Sequence, residues 1–272
     1  MNSIRASFIG AGNMAGSIIG GLLRAGFGAE AIRVASPGWD RLEQLRALGI
    51  EGVGTDNRAA VTGADVVVLC VKPQRMRDVC EELGPALADG QLVLSVAAGI
   101  TSASIARWLG GSPLVVRCVP NTPSQLGAGA TAVYAAAELS PEQKRAIETI
   151  LGAIGVVCWV QDEEAMHSTT ALSGSGPAYF FLLMEAMIDE AQRMGLDANT
   201  ARTLCARTCA GAGLMLAGSD VGAAELRRRV TSPGGTTEQA VGVFEEAGLR
   251  DIAARAMQAA AARSRELAAD HA

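Results

Sequence analysis

The first 160 residues alternate short β-branched runs with helical patterns, and this alternation constrains the fold more than any other feature of the sequence. Seven runs are predicted as strands: Arg5–Ile9, Ile32–Ser36, Val66–Val71, Leu92–Val96, Leu114–Cys118, Thr131–Ala135 and Val156–Val160. Helical patterns lie between them, including Asn13–Ala25, Asp40–Leu48, Gln74–Leu87 and Ile100–Leu109. Several runs are apolar without alternation, as expected of strands covered on both faces. This order predicts an α/β fold with a doubly wound, mostly parallel sheet.

A glycine-rich turn follows the first predicted strand. Its sequence is Gly10-Ala11-Gly12-Asn13-Met14-Ala15, and it opens the first helical pattern. Gly10 permits a tight turn, Gly12 lets the backbone approach a pyrophosphate, and the small Ala15 lets the helix pack on the sheet. A GxGxxA motif alone is weak, but its place between a strand and a helix at the start of a βαβ pattern supports a Rossmann-type dinucleotide-binding domain.

The residue at the end of the second strand indicates which dinucleotide is preferred. Sites that prefer NAD usually place an acidic residue there, on the ribose hydroxyls. This chain has Ser36-Pro37-Gly38, and its first acid, Asp40, comes later on the following helix. Without a carboxylate, a 2′-phosphate meets no repulsion and can bond Ser36, with Arg41 nearby. We therefore expect NADPH as the cofactor, with NADH used less well.

Three later strand ends carry short loops suited to a ligand crevice. They are Val71-Lys72-Pro73, Ala97-Ala98-Gly99 and Pro120-Asn121-Thr122-Pro123. Each alone reads as an ordinary loop punctuated by Pro and Gly. Because ligands of open α/β sheets bind at the carboxyl ends of the strands, their recurrence favours a binding role. Asn57, predicted in the loop after a short third strand, is expected on the adenosine side.

Beyond Val160 the pattern is helical throughout. Predicted helices are Glu163–Ala171, Pro177–Met194, Asn199–Ala217, Gly222–Val230, Thr237–Ala247 and Leu249–Ala269. We therefore predict two domains, residues 1–162 and 163–272. The Tyr179–Ile188 segment is apolar nearly all round, so it should be buried. A small helical domain has little room for that, which indicates burial against another subunit; the alternative is a core helix within the chain.

The break between two of these helices is Ser232-Pro233-Gly234-Gly235, followed by the hydroxyl-rich start Thr236-Thr237. Two glycines before a helix give a tight turn and a cluster of unpaired amide N–H groups. Such a helix N-terminus binds a carboxylate or phosphate well. An ordinary interhelical turn with threonine capping is the alternative. The adjacent Arg227–Arg229 run fits a solvated helix face, with Arg229 close enough to affect an anion.

Composition narrows the class of protein. The 272 residues are 49% hydrophobic and 19% charged, with a net charge of -5. This balance favours a soluble protein and disfavours a nucleic-acid surface, which is normally basic. The start lacks the pattern of a secretory leader, and the apolar run Ala178–Met184 is too short to span a bilayer. The six cysteines show no zinc-site spacing, so we expect a cytoplasmic protein with reduced cysteines and no metal.

The motifs GAGNMA, VKP, SVAAG, PNTP, SGSGPAY and SPGGTT, taken in order along nearly the whole chain, resemble those of the pyrroline-5-carboxylate reductase family. The resemblance implies a Rossmann-type domain followed by an all-helical dimerisation domain, and interlocked dimers that often form larger rings. It also implies NAD(P)H-dependent reduction of 1-pyrroline-5-carboxylate to L-proline. Val119 stands where the family commonly has Met, a difference that concerns packing near the nicotinamide.

The resemblance also assigns roles to residues. Those implied to line the cofactor are Gly10, Gly12, Asn13, Met14, Ser36, Asn57, Val71, Lys72, Pro73, Ala97 and Ala98. Those implied to hold the substrate carboxylate are Ser232, Gly234, Gly235 and Thr236. Thr237 is implied to hydrogen-bond the ring nitrogen and is the one catalytic candidate.

Few side chains in this sequence can exchange protons near neutral pH. There are two histidines, His167 and His271, and two lysines, Lys72 and Lys144. A hydroxy-acid dehydrogenase needs a group to exchange a proton with the alcohol oxygen, and the related hydroxyisobutyrate-type enzymes carry a lysine on the long helix after Gly176, where this chain has none. Reduction of a cyclic imine forms no alkoxide, so it is compatible with this scarcity. A reductase of a related cyclic imine, a hydroxy-acid dehydrogenase and a non-catalytic NADP-binding regulator remain as alternatives.

Overall fold

The computed structural model describes residues 4–111 and 113–270; His271, one of the two histidines, lies outside them. Eight strands form one sheet in the order β3-β2-β1-β4-β5-β6-β7-β8. Their bounds are β1 Ala6–Ile9, β2 Ile32–Ala35, β3 Gly52–Gly54, β4 Val66–Leu69, β5 Leu92–Ser95, β6 Leu114–Val119, β7 Gly129–Ala135 and β8 Gly155–Trp159. All neighbours are parallel except β6 and β7, which are antiparallel. The predicted doubly wound, mostly parallel sheet is confirmed.

Twelve α-helices accompany these strands in the part of the chain that the structure describes. Six precede β8: α1 Asn13–Arg24, α2 Trp39–Ala47, α3 Asn57–Val61, α4 Pro73–Leu83, α5 Ser102–Trp108 and α6 Pro141–Gly152. Six follow it: α7 Ala165–Thr169, α8 Gly176–Arg193, α9 Ala198–Ala217, α10 Ala223–Arg229, α11 Thr236–Glu246 and α12 Leu249–Asp270. A π-helical turn, Thr170–Gly174, separates α7 from α8.

The central strands are buried because apolar clusters cover both faces of the sheet. On β1, for example, Phe8 belongs to one cluster and the adjacent Ile9 to the other, and both are almost fully buried. Successive side chains of a strand point to opposite faces, so a continuously apolar strand supplies both clusters. The run of apolar residues in these strands, without polar alternation, is thereby explained.

The start of α6 is set by a local capping signal, Ser140-Pro141-Glu142-Gln143. Ser140 caps α6 through a hydrogen bond from the amide of Gln143, whose side chain accepts in return from the amide of Ser140. This reciprocal pair satisfies two amides that the helix leaves open. The short third strand expected before Asn57 is β3, whereas helix α3 escaped the sequence prediction. Asn57 is therefore the first residue of a helix capped by Asp56, and its predicted position in a loop is wrong.

The chain forms two compact units, Met1–Ser175 with Ala259–Ala272, and Gly176–Gln258. The first contains the sheet and the second contains α8 to α11. The predicted boundary between domains 1–162 and 163–272 differs from the division into these compact units, and it stays a prediction. Residues just after 162 group with the sheet because Glu163 bonds Arg117 and His167 bonds Ser264 within the first unit.

Helix α8 exposes most of its apolar side chains in the single chain. Phe180, Phe181 and Leu182 are 58%, 63% and 68% exposed. The alternative of a core helix within the chain is therefore wrong. Among the described residues, 165–193 also form one helical stretch long and apolar enough to cross a membrane, with a mean hydropathy of 1.2 over its most apolar window. The helical stretch that meets these criteria of length and mean hydropathy is thus longer than the predicted apolar run Ala178–Met184.

Candidate active site

The glycine-rich turn lies between the ends of three parallel strands. The amide of Gly10 donates to the carbonyl of Ala35, the last residue of β2, at 2.7 Å, and the amide of Cys70 after β4 donates to the carbonyl of Ile9 at 2.8 Å. Gly10 has a φ of +97°, and a Cβ there would lie 2.8 Å from the carbonyl oxygen of Cys70. Only glycine tolerates both conditions, so the turn is as tight as the sequence predicts.

Helix α1 begins directly after this turn, at Asn13, with Gly12 as its N-cap. No acidic residue lies in its first turn. The first amides of a helix have no partner within the helix, and they carry the positive end of its dipole. This turn and helix start fit the pyrophosphate of a dinucleotide.

The structure brings most of the predicted cofactor residues to the same edge of the sheet. Strands β1, β2, β4 and β5 are parallel, so their carboxyl ends share that edge. The predicted residues found at it are Gly10, Gly12, Asn13, Met14, Ser36, Val71, Lys72, Pro73, Ala97 and Ala98. Lys72 is the exposed N-cap of α4, and Pro73 is the first residue of that helix.

Ser36 and Asn57 have different surroundings. The amide of Ser36 donates to Gly54 of β3 at 3.1 Å, which fixes the backbone just beyond β2. The Asn57 side chain donates to the carboxylate of Glu82 at 3.0 Å, so its amide already has a partner within the first unit. A contact from Asn57 to an adenosine therefore competes with Glu82.

A buried ionic cluster lies next to this edge, and the sequence reasoning missed it. Arg117 of β6 is 2% exposed and donates to Glu163 at 2.7 Å. Glu163 also accepts from the amide and hydroxyl of Ser102, the first residue of α5, at 2.6 and 2.9 Å. Because α5 follows Ala97-Ala98-Gly99, the carboxylate ties that loop to the strand that leads into Pro120. The only signal in the sequence is one arginine within the apolar run LVVRCV.

This cluster determines the ionisation of Glu163. Burial would raise the pKa of its carboxyl group, but the Ser102 amide and the Arg117 guanidinium outweigh burial and hold the pKa below its usual value. Bonds to the charged form favour that form. Glu163 is therefore an anion at neutral pH.

His167 lies near the same cluster. It is buried, its Nδ1 lies 2.8 Å from the hydroxyl of Ser264 on α12, and its pKa is lowered chiefly by burial. Desolvation favours the neutral imidazole. The side chain thus serves packing of α12 against α7 and is an unsuitable proton donor at neutral pH.

The SPGGTT turn lies in the second compact unit. Gly234 has a φ of +70°, Gly235 is the N-cap of α11, and Thr236 is the first residue of that helix. The amide of Gly235 donates to the carbonyl of Ser232 at 3.0 Å, closing the turn. Thr237 follows and is half-buried. No side chain caps this helix at Gly235, so the predicted threonine capping is wrong, while an ordinary interhelical turn stays an alternative.

One amide of this turn already binds a carboxylate. The N–H of Gly234 donates to Glu238 at 2.7 Å. The sequence reasoning missed Glu238, although an acid in the first turn of a helix was the available signal. The contact shows that this turn accommodates a carboxylate.

Each arginine of the basic run beside the turn pairs with a neighbouring acid. Arg228 and Arg229 both bond Glu225 on the same helix, and Arg227 bonds Glu245 of α11 at 2.6 Å. All three arginines are exposed. They form a solvated helix face, as predicted.

Two families of known proteins match parts of the chain. Residues 163–267 match the family described as pyrroline-5-carboxylate reductase dimerisation, and residues 5–99 match NADP oxidoreductase coenzyme F420-dependent. A pyrroline-5-carboxylate reductase of Pseudomonas aeruginosa is 48% identical over 268 residues, which are 98% of each chain.

The chain belongs to the pyrroline-5-carboxylate reductase family.

Solved structures of the family share its fold. A pyrroline-5-carboxylate reductase of Coxiella burnetii superposes with a TM-score of 0.94 at 42% identity, over 98% of this chain and 99% of that one. A pyrroline carboxylate reductase of Plasmodium falciparum, solved with NADP bound, has a TM-score of 0.86 at 24% identity, over 98% and 99% of the two chains. Membership in the pyrroline-5-carboxylate reductase family makes this chain an oxidoreductase, and its helical segment after 162 matches the dimerisation part of the family.

Proposed function

We propose that this protein reduces the cyclic imine 1-pyrroline-5-carboxylate to L-proline with NADPH, the last step of proline biosynthesis. The observation that carries the proposal is the 48% identity to a pyrroline-5-carboxylate reductase over 98% of both chains. The glycine-rich turn at the start of α1 and the SPGGTT turn at the start of α11 also support the proposal.

The proposed cofactor site is the carboxyl edge of the sheet. Gly10, Gly12, Asn13 and Met14 would receive the pyrophosphate, and Ser36 the 2′-phosphate. The residues proposed to line the rest of the dinucleotide are Asn57, Val71, Lys72, Pro73, Ala97 and Ala98. The preference for NADPH is supported by the lack of an acid at position 36 and by the match of residues 5–99 to an NADP oxidoreductase family.

The proposed substrate site is the SPGGTT turn. Ser232, Gly234, Gly235 and Thr236 would hold the substrate carboxylate through backbone amides and hydroxyl groups. The Glu238 carboxylate on the Gly234 amide supports this assignment, because that amide already donates a hydrogen bond to a carboxylate. The substrate carboxylate would exchange with that of Glu238.

The proposed reaction needs few catalytic groups from the protein. When bound, the reduced nicotinamide supplies the hydride, which adds to the C=N carbon of the ring. Thr237 would hydrogen-bond and orient the ring nitrogen, which arrives protonated. Because no alkoxide forms, no strong general acid is needed, and positioning provides most of the rate. The buried, neutral His167 agrees with that requirement.

The assembly proposed is a homodimer through the helical domain, extended to a higher-order ring of dimers. It is supported by the match of residues 163–267 to a dimerisation family and by the exposed apolar side chains of α8. We propose a cytoplasmic location, with no partner among nucleic acids or membranes; the negative net charge supports the first exclusion.

One spectrophotometric assay tests the function. NADPH consumption is followed with pyrroline-5-carboxylate, its six-membered homologue and a keto acid side by side. We expect the highest kcat/KM with pyrroline-5-carboxylate. Faster turnover of the six-membered ring would identify a reductase of a related cyclic imine, and turnover of the keto acid alone would identify a hydroxy-acid dehydrogenase. Tight NADPH binding without turnover of any of them would indicate a regulator.

A further inference from the structure

A guanidinium group connects the two helix starts at the edge of the sheet. Nη2 of Arg41, in the first turn of α2, donates to Oδ1 of Asn13, the first residue of α1, at 3.2 Å. Strands β1 and β2, which lead into these helices, are parallel neighbours with Ile9 opposite Ala35. Arg41 is therefore held beside the glycine-rich turn, although its side chain is exposed.

The contact with Asn13 leaves most of the hydrogen-bonding capacity of Arg41 unused. A guanidinium has five N–H donors, and that of Arg41 uses one of them in the hydrogen bond to the neutral amide oxygen of Asn13. Among the described residues, no carboxylate forms an ion pair with Arg41. A planar group with several free donors matches the oxygens of a phosphate in a bidentate manner.

The position of Arg41 relative to Ser36 specifies which phosphate it would reach. Ser36 follows β2 directly, where the ribose of a bound dinucleotide carries its 2′ substituent. Arg41 lies five residues further, at the start of the helix that follows the same strand, and its contact with Asn13 directs it back toward the dinucleotide. The pyrophosphate would instead lie on the amides of α1.

We propose that Arg41 selects the 2′-phosphate of NADPH by pairing with it, together with Ser36, and so determines cofactor specificity. The inference rests on the proposed dinucleotide site. Asn13 holds the guanidinium near its binding position before the cofactor arrives, which reduces the entropy that the side chain loses on binding.

The chain offers a matched control on the same helix. Arg46 lies five residues after Arg41 on α2, and its guanidinium packs over the ring of Trp39, 6.0 Å from the centroid. Arg46→Gln removes the same charge from the same helix without touching the Asn13 contact.

The experiment compares two nucleotides that differ only in the 2′-phosphate. Calorimetry measures the Kd of 2′,5′-ADP and of 5′-AMP for the wild type, Arg41→Gln, Arg41→Lys and Arg46→Gln. We expect Arg41→Gln to weaken 2′,5′-ADP by roughly ten- to a hundredfold, the loss of hydrogen bonds to a charged group, with 5′-AMP unchanged. The Kd of 2′,5′-ADP for Arg41→Lys should lie between those of the wild type and Arg41→Gln. Both Kd values for Arg46→Gln should match those of the wild type.

An unchanged ratio of the two Kd values in Arg41→Gln would overturn the proposal, as would an equal loss in Arg46→Gln. Kinetics separate this inference from the proposed reaction. With an active reductase, kcat/KM for NADPH should fall in Arg41→Gln while that for NADH holds. If no imine is reduced but the wild type still discriminates the two nucleotides through Arg41, the proposed function fails and the inference stands.

Discussion

Thr237 is the one side chain proposed to contact the reacting C=N group of the substrate. Substitution of this residue is therefore the most direct test of the proposed mechanism. Thr237→Ala should lower kcat/KM by roughly ten- to a hundredfold, because one hydrogen bond to the ring nitrogen is lost in the transition state. Steady-state kinetics with pyrroline-5-carboxylate and NADPH measure this. Thr237→Ser keeps the hydroxyl and should retain most of the rate. Wild-type kinetics in the alanine variant would remove Thr237 from the mechanism.

Ser36 tests cofactor preference at the same scale. Ser36→Asp should lower kcat/KM for NADPH relative to NADH about tenfold or more, since like charges a few ångströms apart near a protein surface repel by about 1–4 kcal/mol. Kinetics with both cofactors give the ratio. Ser36→Ala is the control, because it removes the hydroxyl without adding charge. If the aspartate variant keeps the wild-type ratio, the 2′-phosphate lies elsewhere.

At the scale of secondary-structure elements, the carboxylate of Glu163 joins strand β6 to helix α5. Glu163→Gln leaves Arg117, 2% exposed, without its counter-ion. Breaking a buried pair in this way costs about 3 kcal/mol, and urea unfolding at pH 7 should show a loss of that order. Glu81→Gln, which removes an exposed partner of Arg77, is the control and should change the unfolding free energy little.

The pH dependence separates the ionic role of Glu163 from mere packing. Its pKa is lowered in the folded state, so its stabilisation is fully present above the ordinary value of 4.5 and is lost as pH falls through the folded value. The gap in unfolding free energy between wild type and Glu163→Gln should therefore shrink below about pH 4.5. A gap that stays constant down to pH 3 would show that the charge is not what stabilises the joint.

For the whole molecule, the exposed apolar face of α8 is the feature that needs a partner. Replacing Phe181 and Leu182 together by Glu should convert a dimer to a monomer, because two buried charges without counter-ions would oppose association. Light scattering coupled to size exclusion measures the mass. Leu48→Glu, at an exposed leucine after α2, should leave the mass unchanged. A monomeric wild type, or a dimeric double variant, would contradict the proposed interface.

Several parts of the fold and the site could be predicted because their causes are local. The turn at Gly10 follows from glycine sterics, the start of α6 from the hydrogen bonds of Ser140 and Gln143, and the break before α11 from Gly234 and Gly235. The continuously apolar strands likewise indicate, from the sequence, a sheet that is buried on both faces. Each of these signals acts over a few residues, so it can be read without knowing where the chain goes next.

Other features depend on residues that only folding brings together. Arg117 meets Glu163 across 46 positions, His167 meets Ser264 across 97, and Arg41 meets Asn13 across 28. The antiparallel pairing of β6 with β7 likewise depends on neighbours in space. Sequence by itself determined the alternating α/β architecture and the glycine turns, because these follow from short-range patterning and sterics. It also determined the family, because the order of the motifs along the chain is characteristic. Tertiary structure alone decided the buried ion pair, the contact of Arg41 with Asn13 and the burial of His167 against α12, because charge pairing and burial depend on distances between remote segments.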